Sequence, residues 1–237
     1  MSTQSTIAER VRHIQARIDQ LALEAGREAG SVTLLPVSKT FGDGAVREAI
    51  AAGLHRFGEN KAQDIRDKSR ALADANVSWV MIGHLQTNKA RDIARYAHEI
   101  QSLDRPELAE ALESRLQMEG RTLNALVQVK TSTEPSKFGL DPASLKDFLE
   151  FVARETPSLR VQGLMTMAIN DPDPDAVRAC FRRLRELRDA MKAAAIPGVA
   201  LERLSMGMSG DYHLAIAEGS TEVRIGSAIF GERSYTG

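Results

Sequence analysis

Near the start of the chain, Ile7, Val11, Ile14, Ile18, Leu21 and Ala25 recur at alternating spacings of four and three. That is the period of a helix burying one face. Arg10, Arg12, Arg17 and Glu24 fall off the stripe and face water. Gly26 and Gly30 end the helix and lead into a different pattern. Short apolar runs follow at 32–37, 55–58, 79–83, 99–103, 123–129, 161–167, 201–206 and 222–230. Helical segments are predicted between them, near 43–53, 60–74, 87–97, 106–119, 142–155, 173–195 and 211–218. Strands alternating with helices of this length predict an α/β protein with a parallel sheet. Eight strands favour closure into a (β/α)8 barrel of the TIM type. An open doubly wound sheet is the alternative. The segment 170–175, Asn-Asp-Pro-Asp-Pro-Asp, reads as a turn that caps the next helix. With no Pro/Gly/Ser linker, the expectation is one domain over residues 1–237 with an amphipathic N-terminal helix at about 5–25.

Composition narrows the partners. Hydrophobic residues make up 43% and charged residues 27%, which fits a globular protein with a sizeable core. A net charge of -1 gives no general pull toward nucleic acid or anionic lipid. A single cysteine, Cys180, excludes an internal disulfide and a cysteine-rich metal site. No apolar run follows Met1 to Thr6 as in a secretory signal, and none approaches the length of a membrane span. The expectation is a cytoplasmic protein without nucleic-acid or membrane partners. The helix at 173–195 carries Arg178, Arg182, Arg183, Arg185 and Arg188, read as a solvated face or a docking surface.

In a β/α barrel the chemistry sits just beyond the C-terminal strand ends. The first run ends in Ser38-Lys39-Thr40. A partly desolvated lysine there has a lowered pKa and an amine ready for Schiff-base chemistry; the alternative is a surface lysine. The second run ends in Phe57-Gly58-Glu59-Asn60, where Asn60 is either a ligand contact or the N-cap of a helix starting at Lys61. The third places His84 in a loop, as a ring or substrate contact or as a structural hydrogen-bonding group. The seventh run ends in Ser205-Met206-Gly207-Met208-Ser209-Gly210-Asp211, and the eighth reads Glu222-Val223-Arg224-Ile225-Gly226-Ser227. In barrels this pair of loops frequently forms a phosphate site, although tight turns need the same glycines. Arg224 and Glu222 alternate with Val223 and Ile225, which puts charge into the lumen. A buried arginine needs a partner, either a pyridine-type nitrogen or an acidic side chain.

These segments, with Ile82-Gly83-His84-Leu85-Gln86-Thr87-Asn88-Lys89, Gly163-Leu164-Met165 and Arg224-Ile225-Gly226-Ser227-Ala228-Ile229-Phe230-Gly231, resemble the pyridoxal phosphate homeostasis family. Its members are single-domain relatives of the alanine racemase N-terminal barrel. The resemblance runs through nearly the whole chain. It implies a fold-type III barrel binding pyridoxal 5′-phosphate (PLP) as a Schiff base on Lys39. It also implies phosphate contacts from Ser205, Gly226 and Ser227, Arg224 at the pyridine nitrogen, and Asn60 and Met206 near the cofactor. The implied function is buffering or delivery of PLP, with PLP-dependent apo-enzymes as recipients, an indirect effect on amino-acid balance and no established turnover. A PLP-dependent amino-acid racemase is the alternative. The segment 229–237 is too short to supply the second domain that completes racemase sites, and a monomer or weak dimer is expected. Lys61 and Val80 stand where the family often has Tyr and His, and Ser227 stands where Thr is common. The roles of His84 and Lys137 stay open.

Overall fold

The computed structural model describes residues 5–132 and 138–231. Its first element is α1 (Ile7–Glu24), opened by a capping box in which Thr6 accepts from the Glu9 amide and Glu9 reaches back to the Thr6 amide. The stripe read from the sequence is its buried face, and it packs on elements at both ends of the chain. Gly26, at φ +72°, supplies the left-handed residue that stops the helix.

Eight strands follow: β1 (Thr33–Pro36), β2 (Arg56–Glu59), β3 (Ser78–Met81), β4 (Glu99–Leu103), β5 (Leu123–Gln128), β6 (Leu159–Met165), β7 (Arg203–Met208) and β8 (Glu222–Ile225). All pairings are parallel, in the order β1-β8-β7-β6-β5-β4-β3-β2. The ring closes between β1 and β2 through a parallel bridge, Val37 to Gly58, with the Ser38 amide donating to the Gly58 carbonyl at 3.1 Å. The fold is therefore a barrel and not an open sheet. Its helices are α2 (Asp43–Ala51), α3 (Ala62–Ala71), α4 (Ala90–Tyr96), α5 (Pro106–Glu119), α6 (Leu145–Glu155), α7 (Pro174–Ala193), α8 (Tyr212–Ala217) and α9 (Ser227–Phe230).

Strand alternation divides the interior in two. Leu34, Phe57, Trp79, Leu204 and Val223 join the core between strands and helices, with the Phe57 and Trp79 rings 5.9 Å apart. Alternate positions face the lumen, where Glu222 and Arg224 lie on one face of β8. Among the described residues no helix is long and apolar enough to cross a membrane.

Three sequence expectations are refined. The run 222–230 is strand only to Ile225, because the backbone turns at Gly226 into the short α9. Asn60 is not a helix cap: α3 starts at Ala62, and Lys61 holds the cap position. The arginines of α7 are neither simply solvated nor a free docking face, since Arg178, Arg182 and Arg185 all converge on the buried Glu218. Asp173 does cap α7, accepting from the Asp175 amide at 3.0 Å. Cys180 is buried on the same helix.

Candidate functional site

Lys39 is displayed by a tight turn. The Phe41 amide donates to the Ser38 carbonyl at 3.1 Å, and Thr40 between them sits at φ +71°. A β-branched residue in the left-handed region is strained and needs its surroundings to hold it there. The support lies beneath. The Lys68 ammonium donates to Glu59 Oε1 at 2.5 Å and to the Ser38 carbonyl at 2.8 Å, and Ser38 Oγ donates to the same carboxylate at 2.6 Å. Burial pushes the Glu59 carboxyl above its ordinary range, against the lowering influence of Lys68.

Lys39 lines a cavity of about 410 Å³ at the C-terminal end of the barrel. That lies within the ordinary range for small-ligand sites, about 300–1,000 Å³. Asn60 enters from the loop after β2, His84 from the loop after β3 and Gln128 from β5. Met208 enters from the end of β7, Ser209 and Gly210 from the loop after it, Arg224 from β8, and Gly226 and Ser227 from the turn into α9. Phe41, Phe138 and Met167 add apolar wall. Phe138 stacks on His84 with centroids 4.0 Å apart, and His84 Nδ1 lies 3.7 Å from the Asp104 carboxylate. Lys137 lies outside the described residues. None of the described residues lining the cavity is acidic, and two of them, Lys39 and Arg224, are cationic.

Arg224 is almost fully buried, and burial pushes its pKa down to about 10. It therefore stays protonated at neutral pH. Its guanidinium donates to the Ser205 carbonyl at 2.8 Å, to Ser205 Oγ at 2.7 Å and to the Thr166 carbonyl at 2.8 Å. These partners are neutral, so the acidic partner considered from the sequence is not what holds it. At Gly226 a Cβ would come within 3.2 Å of the Val37 carbonyl, so glycine keeps the ends of β1 and β8 together. The first-turn amides of α9 have no acceptor within the helix and suit an anion.

Five of the seven residues singled out in the sequence line this cavity: Lys39, Asn60, Arg224, Gly226 and Ser227. The other two do not. Ser205 is fully buried beneath Arg224, its hydroxyl engaged by that arginine and by Gln101. Met206, one residue on, packs into the core shared with the helices. The sequence reading passed over Gln128, Phe138 and Met167, which carry no motif. It also passed over a polar cluster at the opposite end of the lumen. There Arg56 and Arg203 each bridge Glu99 and Glu222 at 2.6 to 2.8 Å. Its signal is a charged or polar residue at alternate positions of four strands: Arg56, Glu99 and Gln101, Arg203 and Ser205, Glu222 and Arg224.

The arrangement can hold a molecule with an anion at 226–228, a carbonyl near Lys39 and a hydrogen-bond acceptor facing Arg224. No group of three or more metal-ligating side chains occurs among the described residues.

Comparison with known proteins points to the same class. The family model of the alanine racemase N-terminal domain matches residues 10–234. A Pseudomonas aeruginosa protein named pyridoxal phosphate homeostasis protein is 44% identical over 235 residues, covering 98% of this chain and 97% of that one. An Aquifex aeolicus protein of the same name is 40% identical, covering 96% and 98%. The PLP-bound structure of PipY from Synechococcus elongatus superposes with a TM-score of 0.84 at 35% identity, covering 95% of this chain and 100% of PipY. A chain whose barrel, cavity and near full-length relatives agree in this way belongs to the pyridoxal phosphate homeostasis protein family, on the alanine racemase N-terminal fold.

Proposed function

We propose that the protein binds PLP in the C-terminal cavity, as a Schiff base on Lys39, and that it stores or hands over the cofactor without turning over a substrate. One observation carries the reading. A cavity of ligand size holds a lysine and an arginine, has no acidic side chain among its described lining residues, and ends in a glycine turn with helix-start amides. A phosphorylated aldehyde with a ring nitrogen matches all three parts. When bound, PLP supplies an aldehyde carbon for amines and a ring that can accept electrons. The Thr40 turn and the Ser38–Glu59–Lys68 cluster aim Lys39. The amides at 226–228 and the Ser227 hydroxyl bind the phosphate, and Asn60 contributes a polar contact near the ring.

Arg224 weighs against chemistry that needs a protonated ring, such as transamination, and still permits racemisation. It stays protonated at neutral pH and donates a hydrogen bond to the ring nitrogen without surrendering its proton. A ring held in this way would stay neutral and be a weaker electron sink. We propose PLP-dependent apo-enzymes as recipients. His84, a titratable group in the same cavity, is the observation that favours the racemase alternative.

Borohydride treatment followed by peptide mapping tests the attachment. The pyridoxyl label is expected on Lys39, and Lys39→Ala is expected to lose both the label and the imine absorbance. A label mainly on Lys61, Lys89 or Lys137 would overturn the assignment. Incubation with alanine, serine and glutamate in deuterated water tests turnover. Deuterium incorporation at about 1 per second or faster would replace the carrier reading with the racemase one.

A further inference from the structure

Arg224 stands at the top of a hydrogen-bonded column that descends the barrel axis. Its guanidinium can only donate, so Ser205 Oγ accepts from it at 2.7 Å. The Ser205 hydrogen then goes to Gln101 Oε1, 2.7 Å away on β4. That leaves the Gln101 amide nitrogen facing down, where it donates to Glu99 Oε1 at 2.7 Å and to Glu222 Oε1. Both carboxylates are held in turn by Arg56 and Arg203. Every hydrogen in the column is assigned by the donor-only arginines at its two ends. A flipped Gln101 would set its carbonyl against two carboxylates, so its orientation is fixed.

We infer that Gln101 is a positioning residue for Arg224. Through Ser205 it transmits the rigidity of the lower ion cluster and fixes where the guanidinium meets a ligand's ring nitrogen. The inference rests on the PLP reading above and deepens it. It also reassigns Ser205. A hydroxyl whose hydrogen is engaged by Gln101 and whose lone pair is engaged by Arg224 has no hydrogen to give a phosphate. Ser205 therefore supports the ring contact, and the phosphate falls to the amides at 226–228 and Ser227.

The test compares PLP with its 1-deaza analogue, in which carbon replaces the ring nitrogen while the aldehyde and phosphate are kept. Dissociation constants are measured for wild type, Ser205→Ala, Gln101→Met and the double variant. Each single variant is expected to bind PLP roughly three- to tenfold more weakly, and the double variant about as weakly as the worse single one. Affinity for the deaza analogue is expected to change less than about twofold, because that ligand has no acceptor for Arg224 to meet. Equal losses for both ligands would overturn the inference, since a phosphate contact or general loosening of the barrel acts on both. If Gln101→Met does not fold, Ser205→Ala, which adds no bulk, decides the question alone. Wild-type protein binding neither ligand would overturn the cofactor reading and this inference with it. Wild-type binding with equal losses in the variants would overturn this inference only.

Discussion

Glu222 and Arg224 are two residues apart on one face of β8, yet they belong to opposite kinds of environment. At Glu222, near the floor of the barrel, two arginines and two carboxylates bridge one another, and the charges cancel. At Arg224, near the mouth, the guanidinium leans on neutral oxygens and the lining brings no acid. Buried charge alone therefore does not mark a site. The floor is a closed polar plug, and the mouth is a cationic cavity whose chemistry calls for an anion.

The strongest way to break this contrast is to unbalance the floor. In Arg203→Met, Glu99 and Glu222 keep Arg56 as their cationic partner, beside the neutral Gln101 amide. Removing one partner from a buried ion cluster costs about 3–5 kcal/mol. Urea denaturation should register a loss of that size, with the apo protein as affected as the loaded one. A loss below about 1 kcal/mol would mean that the floor behaves as a surface network, and the distinction between the two ends would fail.

The mouth should respond in the reverse sense, through ligand more than through fold. In Gly226→Ala the added Cβ meets the Val37 carbonyl at 3.2 Å and crowds the turn into α9. We expect PLP to bind about thirtyfold more weakly, or ~2 kcal/mol, and pyridoxal, which lacks the phosphate, to lose much less. Equal losses for the two ligands, measured by absorbance titration, would remove this turn from the phosphate site.

The two ends were also unequally legible in the sequence. The mouth is written in short motifs, so Lys39, Arg224 and Gly226-Ser227 stand out before any fold is known. The (β/α)8 order follows from apolar runs spaced by helices, but closure does not, because it depends on one bridge between Val37 and Gly58. Glycine density draws attention to the end of β7, where Ser205 and Met206 do not line the cavity. Ser205 lies in a run of small residues, and only the pleat shows that it points down the lumen toward Gln101 while Met206 points outward. The floor left a fainter trace, Arg56 at the start of β2 and pairs of polar residues two apart at the starts of β4, β7 and β8. Each strand reads alone as an irregular amphipathic run. The pattern acquires meaning only when four strands separated by up to 166 residues face one another.

The last contrast is between two buried carboxylates and gives the smallest effect, a pH slope. Burial alone would raise the Glu222 carboxyl, but Arg56 and Arg203 beside it, with the Gln101 amide, hold it below its ordinary range. Its contribution to stability is complete above the ordinary glutamate value of about 4.3 and is lost as pH falls through the lower folded value. Glu59, behind the Lys39 turn, runs the other way. Burial raises its carboxyl, and Lys68 only partly opposes this. Its folded form favours the proton, so stability falls as pH rises from the ordinary value toward the folded one, and is level beyond it. Lys68→Met removes the opposing charge, raises the folded Glu59 value further and extends that falling window upward. The lost bond to the Ser38 carbonyl adds a constant cost at every pH. The deficit of Lys68→Met relative to wild type should therefore be smallest near pH 5 and grow toward pH 8. Its slope cannot exceed about 1.4 kcal/mol per pH unit, the limit for one proton. Urea midpoints for both proteins across that range would measure it. A deficit that is flat, or larger at pH 5, would show that Glu59 is held as a fully satisfied carboxylate like Glu222, and that the support behind Lys39 is built on the same plan as the floor.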